Sequence, residues 1–229
     1  MPILDAIPFQ LDQADLFKRI HVREGSANAT EVAAMVAEAQ AVARPKALYQ
    51  IAYVDERGDD YVVVDGRKFT SRVLRVNLDA THRVFAYVAT SGHELEDWAV
   101  AQDDLMRRFW ADVINQMGVY AAAAALGRHL IERFGVESLS TMNPGSLADW
   151  PLAQQRVLFA LLGDTEDTIG VRLTESLLMV PTKSVSGLQF PAAESFASCQ
   201  LCPREVCPNR RAAYDAALYD QKYRLPAAV

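Results

Sequence analysis

Between Ile169 and Phe190 an apolar run is broken by two short polar clusters with a proline between them. Thr174, Glu175 and Ser176 form the first; Lys183, Ser184 and Ser186 form the second, with Gly187 behind them and Pro181 separating the pair. The apolar residues require burial, while proline, serine and glycine at these positions break the run into short pieces. This pattern predicts a hairpin-like pair of short strands that folds at Pro181 and turns the two clusters toward one another. Polar groups held this way make a binding surface on an apolar scaffold.

The rest of the chain alternates helical and extended patterns only in part. Asn28-Ala29-Thr30-Glu31 reads as a helix start, and Val32, Met35, Val36, Ala39 and Val42 follow at helical spacing up to Pro45. Residues 47–54 and 61–64 read as strands around a polar turn, and Val84–Ala89 reads as a further, buried strand ending at Thr90-Ser91-Gly92. From Glu94 to Phe134 the pattern is helical, with Leu105, Phe109, Val113 and Met117 on one face and a break expected at Gly118. The alanine run 121–125 lets another element approach its backbone. Asp149 is the expected cap of a last helix that carries Pro151 in its first turn and Leu158, Leu161 and Leu162 as core contacts. The class implied is α+β, with helices packed on a twisted, largely antiparallel sheet. The expected organisation is one domain over 1–198, its N-terminal lobe spanning about 1–90, followed by a cysteine-containing tail over 199–229.

With 229 residues the chain can bury one good core. A net charge of −6, with both signs interspersed, argues against a nucleic-acid footprint. Apolar runs such as Val119–Leu126 are too short to span a bilayer, and Met1-Pro2-Ile3-Leu4-Asp5 lacks the basic start and apolar stretch of a secretory signal, so a cytoplasmic, membrane-free protein is expected.

The order Leu-Thr-Glu-Ser, a spacer, Pro, then Ser-Val-Ser-Gly resembles the reactivation (activation) domain of cobalamin-dependent methionine synthase. Asn143-Pro144-Gly145-Ser146 and the residues on to Pro151 resemble that family's Pro-Gly-Tyr segment, which also precedes its Thr-Glu-Ser block. The resemblance spans roughly Leu74 to Phe190. It implies binding of S-adenosylmethionine (AdoMet) at Asn143, Pro144, Gly145, Ser146, Thr174, Glu175, Ser176, Ser184, Ser186 and Gly187. It further implies a partner that carries cobalamin, either a corrinoid-binding protein or the other methionine synthase modules, and an external electron donor. No Asp-x-His-x-x-Gly corrinoid motif occurs in the chain. The reading is therefore a stand-alone reactivation factor that supports AdoMet-dependent reductive remethylation of cob(II)alamin.

Two positions depart from the family pattern. Where the family has an arginine before the Pro-Gly pair and a tyrosine after it, this chain has Thr141 and Ser146, and a neutral threonine cannot form a bidentate ion pair with a carboxylate. The glutamate expected in the preceding helix falls within the alanine run. These departures support a second reading: a non-enzymatic partner of a corrinoid protein, with no AdoMet site.

Cys199, Cys202 and Cys207 are the chain's three cysteines, set among Pro203, Pro208, Arg204, Arg210 and Arg211. Their spacing lets the thiolates face one metal, zinc or an iron-sulfur cluster, with a fourth ligand from His, Asp, water or a partner. Equally, they stand as three unligated thiols. Glu175 is either a ligand contact or a solvated turn residue, and Ser184 and Ser186 are either ligand contacts or turn formers. His93 stands at a strand-to-helix turn, where functional groups collect.

Overall fold

The computed structural model describes residues 1–192, 196–207 and 210–224; Pro208, in the cysteine tail, lies outside the described residues. In chain order the elements begin with β1 (Ile3–Leu4), α1 (Gln13–Arg19), α2 (Ala27–Val42), β2 (Lys46–Arg57), β3 (Tyr61–Val64), β4 (Arg67–Thr70), α3 (Arg72–Asn77) and β5 (Arg83–Thr90). They continue with α4 (His93–Val100), α5 (Leu105–Phe134), β6 (Leu139–Met142), α6 (Gln155–Leu162), α7 (Thr165–Ile169), β7 (Arg172–Leu173), β8 (Met179–Val180) and β9 (Ser184–Pro191). Short 3-10 turns cover Leu152–Gln154 and Ser198–Leu201, and a π-turn covers Tyr219–Tyr223. The class is α+β, as the sequence pattern predicts. No helix among the described residues is long and apolar enough to cross a membrane.

Two compact units interleave along the chain. The first comprises Met1–Leu48, Val88–His129 and Asp164–Val185. Its core joins Leu16, Val32, Met35, Val36, Ala39, Leu95, Trp110 and Ile114, so the apolar stripe of α2 is buried as its spacing requires except at its last member, Val42, which is exposed. The helix opens two residues earlier than predicted, because Ser26 is the cap: its Oγ accepts from Ala29 N at 3.2 Å. The helical stretch after Glu94 breaks over residues 101–104 and not at Gly118. Asp104 causes the restart, its Oδ1 accepting from Met106 N at 2.8 Å and Arg107 N at 3.0 Å. Gly118 instead permits close packing, since a Cβ there would meet Leu95 Cδ2 at 2.8 Å and Ser91 Cβ at 3.0 Å. The predicted apolar face of α5 is also rotated. Leu105 and Phe109 are 83% and 48% exposed, whereas Trp110, Ala111 and Ile114 are buried.

The second unit comprises Tyr49–Tyr87, Leu130–Gly163 and Ser186–Val229. Its sheet runs in the order β4-β3-β2-β5-β9-β6, with antiparallel registers such as Val62↔Phe69 and Thr141↔Gln189. The apolar sequence of β5 follows from its interior position in that order: after Arg83 every residue is buried. Aromatic rings fill the space beside the sheet, with Phe85 and Phe134 centroids 4.8 Å apart and Phe69 meeting Trp150 edge-on at 6.2 Å. Leu158, Leu161 and Leu162 of α6 are buried as predicted. Asp149, however, caps α3 and not the helix that follows it: its carboxylate accepts from Arg72 N at 3.2 Å, Val73 N at 3.0 Å and the Ser71 hydroxyl.

Candidate functional site

In the second unit β6 delivers the chain into a tight turn. Ser146 N and Ser146 Oγ both donate to Asn143 O, at 3.1 and 2.7 Å, and Gly145 N donates to Trp150 O at 2.8 Å. The Asn143 side-chain amide donates to the Tyr87 hydroxyl oxygen and to Ser186 O, each at 2.8 Å. Gln155 Nε2 donates to Ser186 Oγ at 3.1 Å. Asn143 and Ser186, which lie apart in sequence, are thereby joined directly, with Tyr87 bonded to the first and Gln155 to the second. Gly187 completes the junction. A Cβ there would meet Met142 O at 2.3 Å and Asn143 Nδ2 at 2.5 Å, so only glycine lets β9 pass. Burial pushes the Tyr87 phenol up to about 12, against a smaller opposing effect of the Asn143 hydrogen bond and the Arg211 charge.

Tyr87 and Gln155 were not expected as members of this network. One signal existed: a single hydroxyl inside the apolar strand Val-Phe-Ala-Tyr-Val-Ala has to find a partner when buried. Gln155 Oε1, Gln189 Oε1 and Trp150 Nε1 are buried without a hydrogen-bond partner among the described residues. A cleft of about 320 Å3 opens in the same unit, lined among others by Ser71, Arg72, Asp149, Tyr219, Tyr223 and Arg224. The Tyr223 hydroxyl donates to Asn77 Oδ1 at 3.0 Å, and Arg72 Nε donates to Tyr223 O at 2.9 Å, so the C-terminal stretch is anchored in this unit.

The Thr174–Ser176 cluster belongs to the first unit. It forms the tip of the β7–β8 hairpin, whose register pairs Arg172 with Val180 and Leu173 with Met179. The chain therefore reverses over 174–178, ahead of Pro181, because Thr174 supplies the turn chemistry. Thr174 Oγ1 donates to Leu178 O and accepts from Leu178 N, both at 3.0 Å, and lies 3.0 Å from Ser176 Oγ. Leu177 adopts a left-handed backbone, φ 68°, at the same tip. Beyond the hairpin, Glu96 accepts from Thr182 N at 2.7 Å and from the Thr182 hydroxyl, and Lys183 Nζ pairs with Asp112 at 2.9 Å. Ser184 Oγ donates to Pro181 O at 2.7 Å and lies 2.9 Å from Thr90 Oγ1. His93, at the start of α4, has Nε2 2.9 Å from Gly170 O.

The three cysteines are free thiols, each half-buried. Among the described residues no group of three or more His, Cys, Asp or Glu is arranged to hold a metal ion. Instead, the Arg210 guanidinium lies among main-chain carbonyls, donating to Cys199 O at 3.2 Å, to Cys202 O and Ala212 O at 3.4 Å, and to Arg204 O.

Residues 144–202 match the family model described as the vitamin B12 dependent methionine synthase activation domain. That segment contains the Pro-Gly turn, the Thr174–Ser176 hairpin tip and the Ser184–Gly187 strand. Among solved structures, the crystal structure of the MetH reactivation domain bound to AdoHcy is similar, with a TM-score of 0.58 and 17% sequence identity. The similarity covers 86% of this chain and 81% of that one. A comparison with curated proteins finds no match. The resemblance read from the two polar blocks is thus shown as a resemblance: a segment that matches the activation-domain model lies within a fold like that of the reactivation domain.

Proposed function

We propose that this chain acts as an activation-type domain that helps return an oxidised cobalamin, carried by a corrinoid-binding partner or by methionine synthase modules, to its methylated form. AdoMet is the methyl donor in this reading, and an external donor supplies one electron. The observation that carries it is the activation-domain match over 144–202, which includes both polar blocks. A similar fold that holds AdoHcy adds support.

When bound, AdoMet supplies an electrophilic methyl group; the chain's own part is to bind and orient it, without covalent catalysis. In this proposal the Asn143–Ser146 turn offers hydroxyl and main-chain groups to AdoMet, and Thr174, Glu175, Ser176 and Ser184 offer hydroxyl and carboxylate groups to AdoMet or to the corrinoid partner. Ser186 and Gly187 act from behind, because Ser186 bonds to Gln155 and Asn143 and Gly187 passes close to Met142 and Asn143. A neutral Thr141 offers no charged partner to the ligand carboxylate, a loss on the order of 1.5 to 3 kcal/mol. Titration calorimetry is therefore expected to give weak AdoMet binding. A submicromolar dissociation constant would mean that other residues replace the missing arginine. Glu175→Gln is expected to weaken AdoMet or corrinoid-protein binding at nearly unchanged melting temperature; unfolding with binding spared would make Glu175 structural.

The neutral residues at Thr141 and Ser146 favour one second reading: a partner of a corrinoid protein without an AdoMet site, whose Cys199, Cys202 and Cys207 hold zinc or an iron-sulfur cluster. Corrinoid-protein binding without AdoMet or AdoHcy binding would select it. Its metal is tested by anaerobic analysis of the protein and of the triple serine variant, where stoichiometric iron or zinc lost on substitution is the required outcome.

A further inference from the structure

The Asn143–Ser146 turn is uncharged, yet an arginine-bearing segment from much later in the chain is packed beside it. Ser146 Oγ lies 3.3 Å from Ser198 Oγ, which sets the Ser198–Leu201 3-10 turn against the Pro-Gly turn. The same 3-10 turn holds residues 210–212. Arg210 Nη1 donates to Cys199 O at 3.2 Å, and Arg211 N donates to Cys199 Sγ at 3.4 Å. The two arginines differ in what they have left to give. The Arg210 guanidinium is spent on main-chain carbonyls, whereas Arg211 is exposed and makes no ion pair with a carboxylate among the described residues.

The other end of the Pro-Gly turn also has Arg211 as a neighbour. The Asn143 amide donates to the Tyr87 hydroxyl at 2.8 Å, and Arg211 is the positive charge that partly offsets the effect of burial on that phenol. A charge must stand close to a phenol to act on it, so the guanidinium lies near the Asn143 side of the turn. Tyr87, Asn143, Ser146, Ser198 and Arg211 all belong to the second unit. The turn is thus flanked at its last residue by the backbone that carries Arg211 and at its first by the charge itself.

We propose that Arg211 is the carboxylate partner of AdoMet at the Asn143–Ser146 turn, so that the tail selects ligands by their carboxylate; this rests on the AdoMet reading given above. AdoMet carries a carboxylate, an ammonium and a sulfonium. A guanidinium at the edge of the turn attracts the first and repels the other two, which directs the amino-acid end of the ligand toward the tail and its sulfonium away from it. The pair is exposed and screened by water. Arg211 therefore recovers only part of what a buried bidentate contact gives, and AdoMet binding stays weak.

Titration calorimetry of the full chain with AdoMet and with decarboxylated AdoMet, which lacks the carboxylate, tests this. The unsubstituted protein is expected to bind AdoMet about fivefold more tightly, the effect of a well-formed exposed ion pair. Arg211→Gln is expected to bring that ratio to about one through lost AdoMet affinity, at an unchanged melting temperature. Arg211→Lys is expected to keep most of the ratio, and Arg204→Gln, which removes another exposed arginine of the tail, to leave it intact. Equal affinities in the unsubstituted protein, a ratio that survives Arg211→Gln, or an equal loss in Arg204→Gln would each overturn the inference while AdoMet binding itself stands. Binding of neither ligand would overturn the AdoMet reading and this inference with it.

Discussion

The Asn143–Trp150 turn and the Thr174–Leu178 turn look alike as sequence, each a short polar block beside apolar residues, yet they are held in opposite ways. Asn143 spends its amide on Tyr87 and Ser186, 56 and 43 residues away in the chain, and Trp150 beside it is fully buried. Thr174 bonds only four residues ahead, to the main chain of Leu178, and two residues ahead to Ser176. The first turn takes its shape from the core of its unit. The second makes its own shape from its own residues, so its outward groups can be changed without disturbing packing. Polar residues that read identically therefore divide into some that specify the fold and others available for binding.

The largest test of that contrast is Gly187→Ala. Its Cβ would fall 2.3 Å from a main-chain oxygen, which cannot rotate away, so a loss of about 3 kcal/mol in urea unfolding is expected. A near-neutral result would show that β9 and the Asn143 turn can separate, and the inward-held description would fail.

Alkaline pH tests the same network without a backbone change. The Tyr87 pKa in the folded protein is about 12, above its unfolded value near 10, so the folded state keeps the proton longer. The contribution is complete below pH 10 and is lost as pH rises from 10 to 12, by about 2 to 3 kcal/mol at most. Tyr87→Phe is expected to flatten that part of the stability profile. An equal slope in both proteins would mean that the phenol ionises in contact with water. Asn143→Ala follows in size, at about 2 kcal/mol, because it strips a buried carbonyl and a buried hydroxyl of their donor.

These residues also show what was legible before the structure. The periodicity of α2, the buried strand β5 and the leucines of α6 were readable because burial imposes a pattern that side-chain type reports directly. Gly118 was misread as a break, since glycine signals equally a helix end and a close approach, and only the position of Leu95 separates the two. Asp149 was assigned to the helix after it, although its partners lie at Ser71–Val73, contacts that no local rule anticipates. Of the candidate site, the sequence identified Asn143, Ser186 and Gly187 as notable, but the bond that joins Asn143 to Ser186, and their further partners Tyr87 and Gln155, depend on strand order. The reversal was placed at Pro181 because proline outweighed the hydroxyl of Thr174, which closes the turn.

Thr174→Ala is the smallest effect and the sharpest check on the second half of the comparison. The substitution removes the hydroxyl bonds to Leu178 and the contact with Ser176, all in an exposed hairpin of two residue pairs. An exposed donor and acceptor regain water when the partner is lost, so the cost is expected to be about 0.5 kcal/mol. The loss is expected to be local. Hydrogen exchange of the Leu178 amide accelerates while the amides of β5 keep their protection. If Thr174→Ala instead cost as much as Asn143→Ala and loosened β5 with it, the hairpin tip would be part of the packing that defines its unit. Its hydroxyls and the neighbouring Glu175 would then be poor candidates for a surface shaped to receive a ligand.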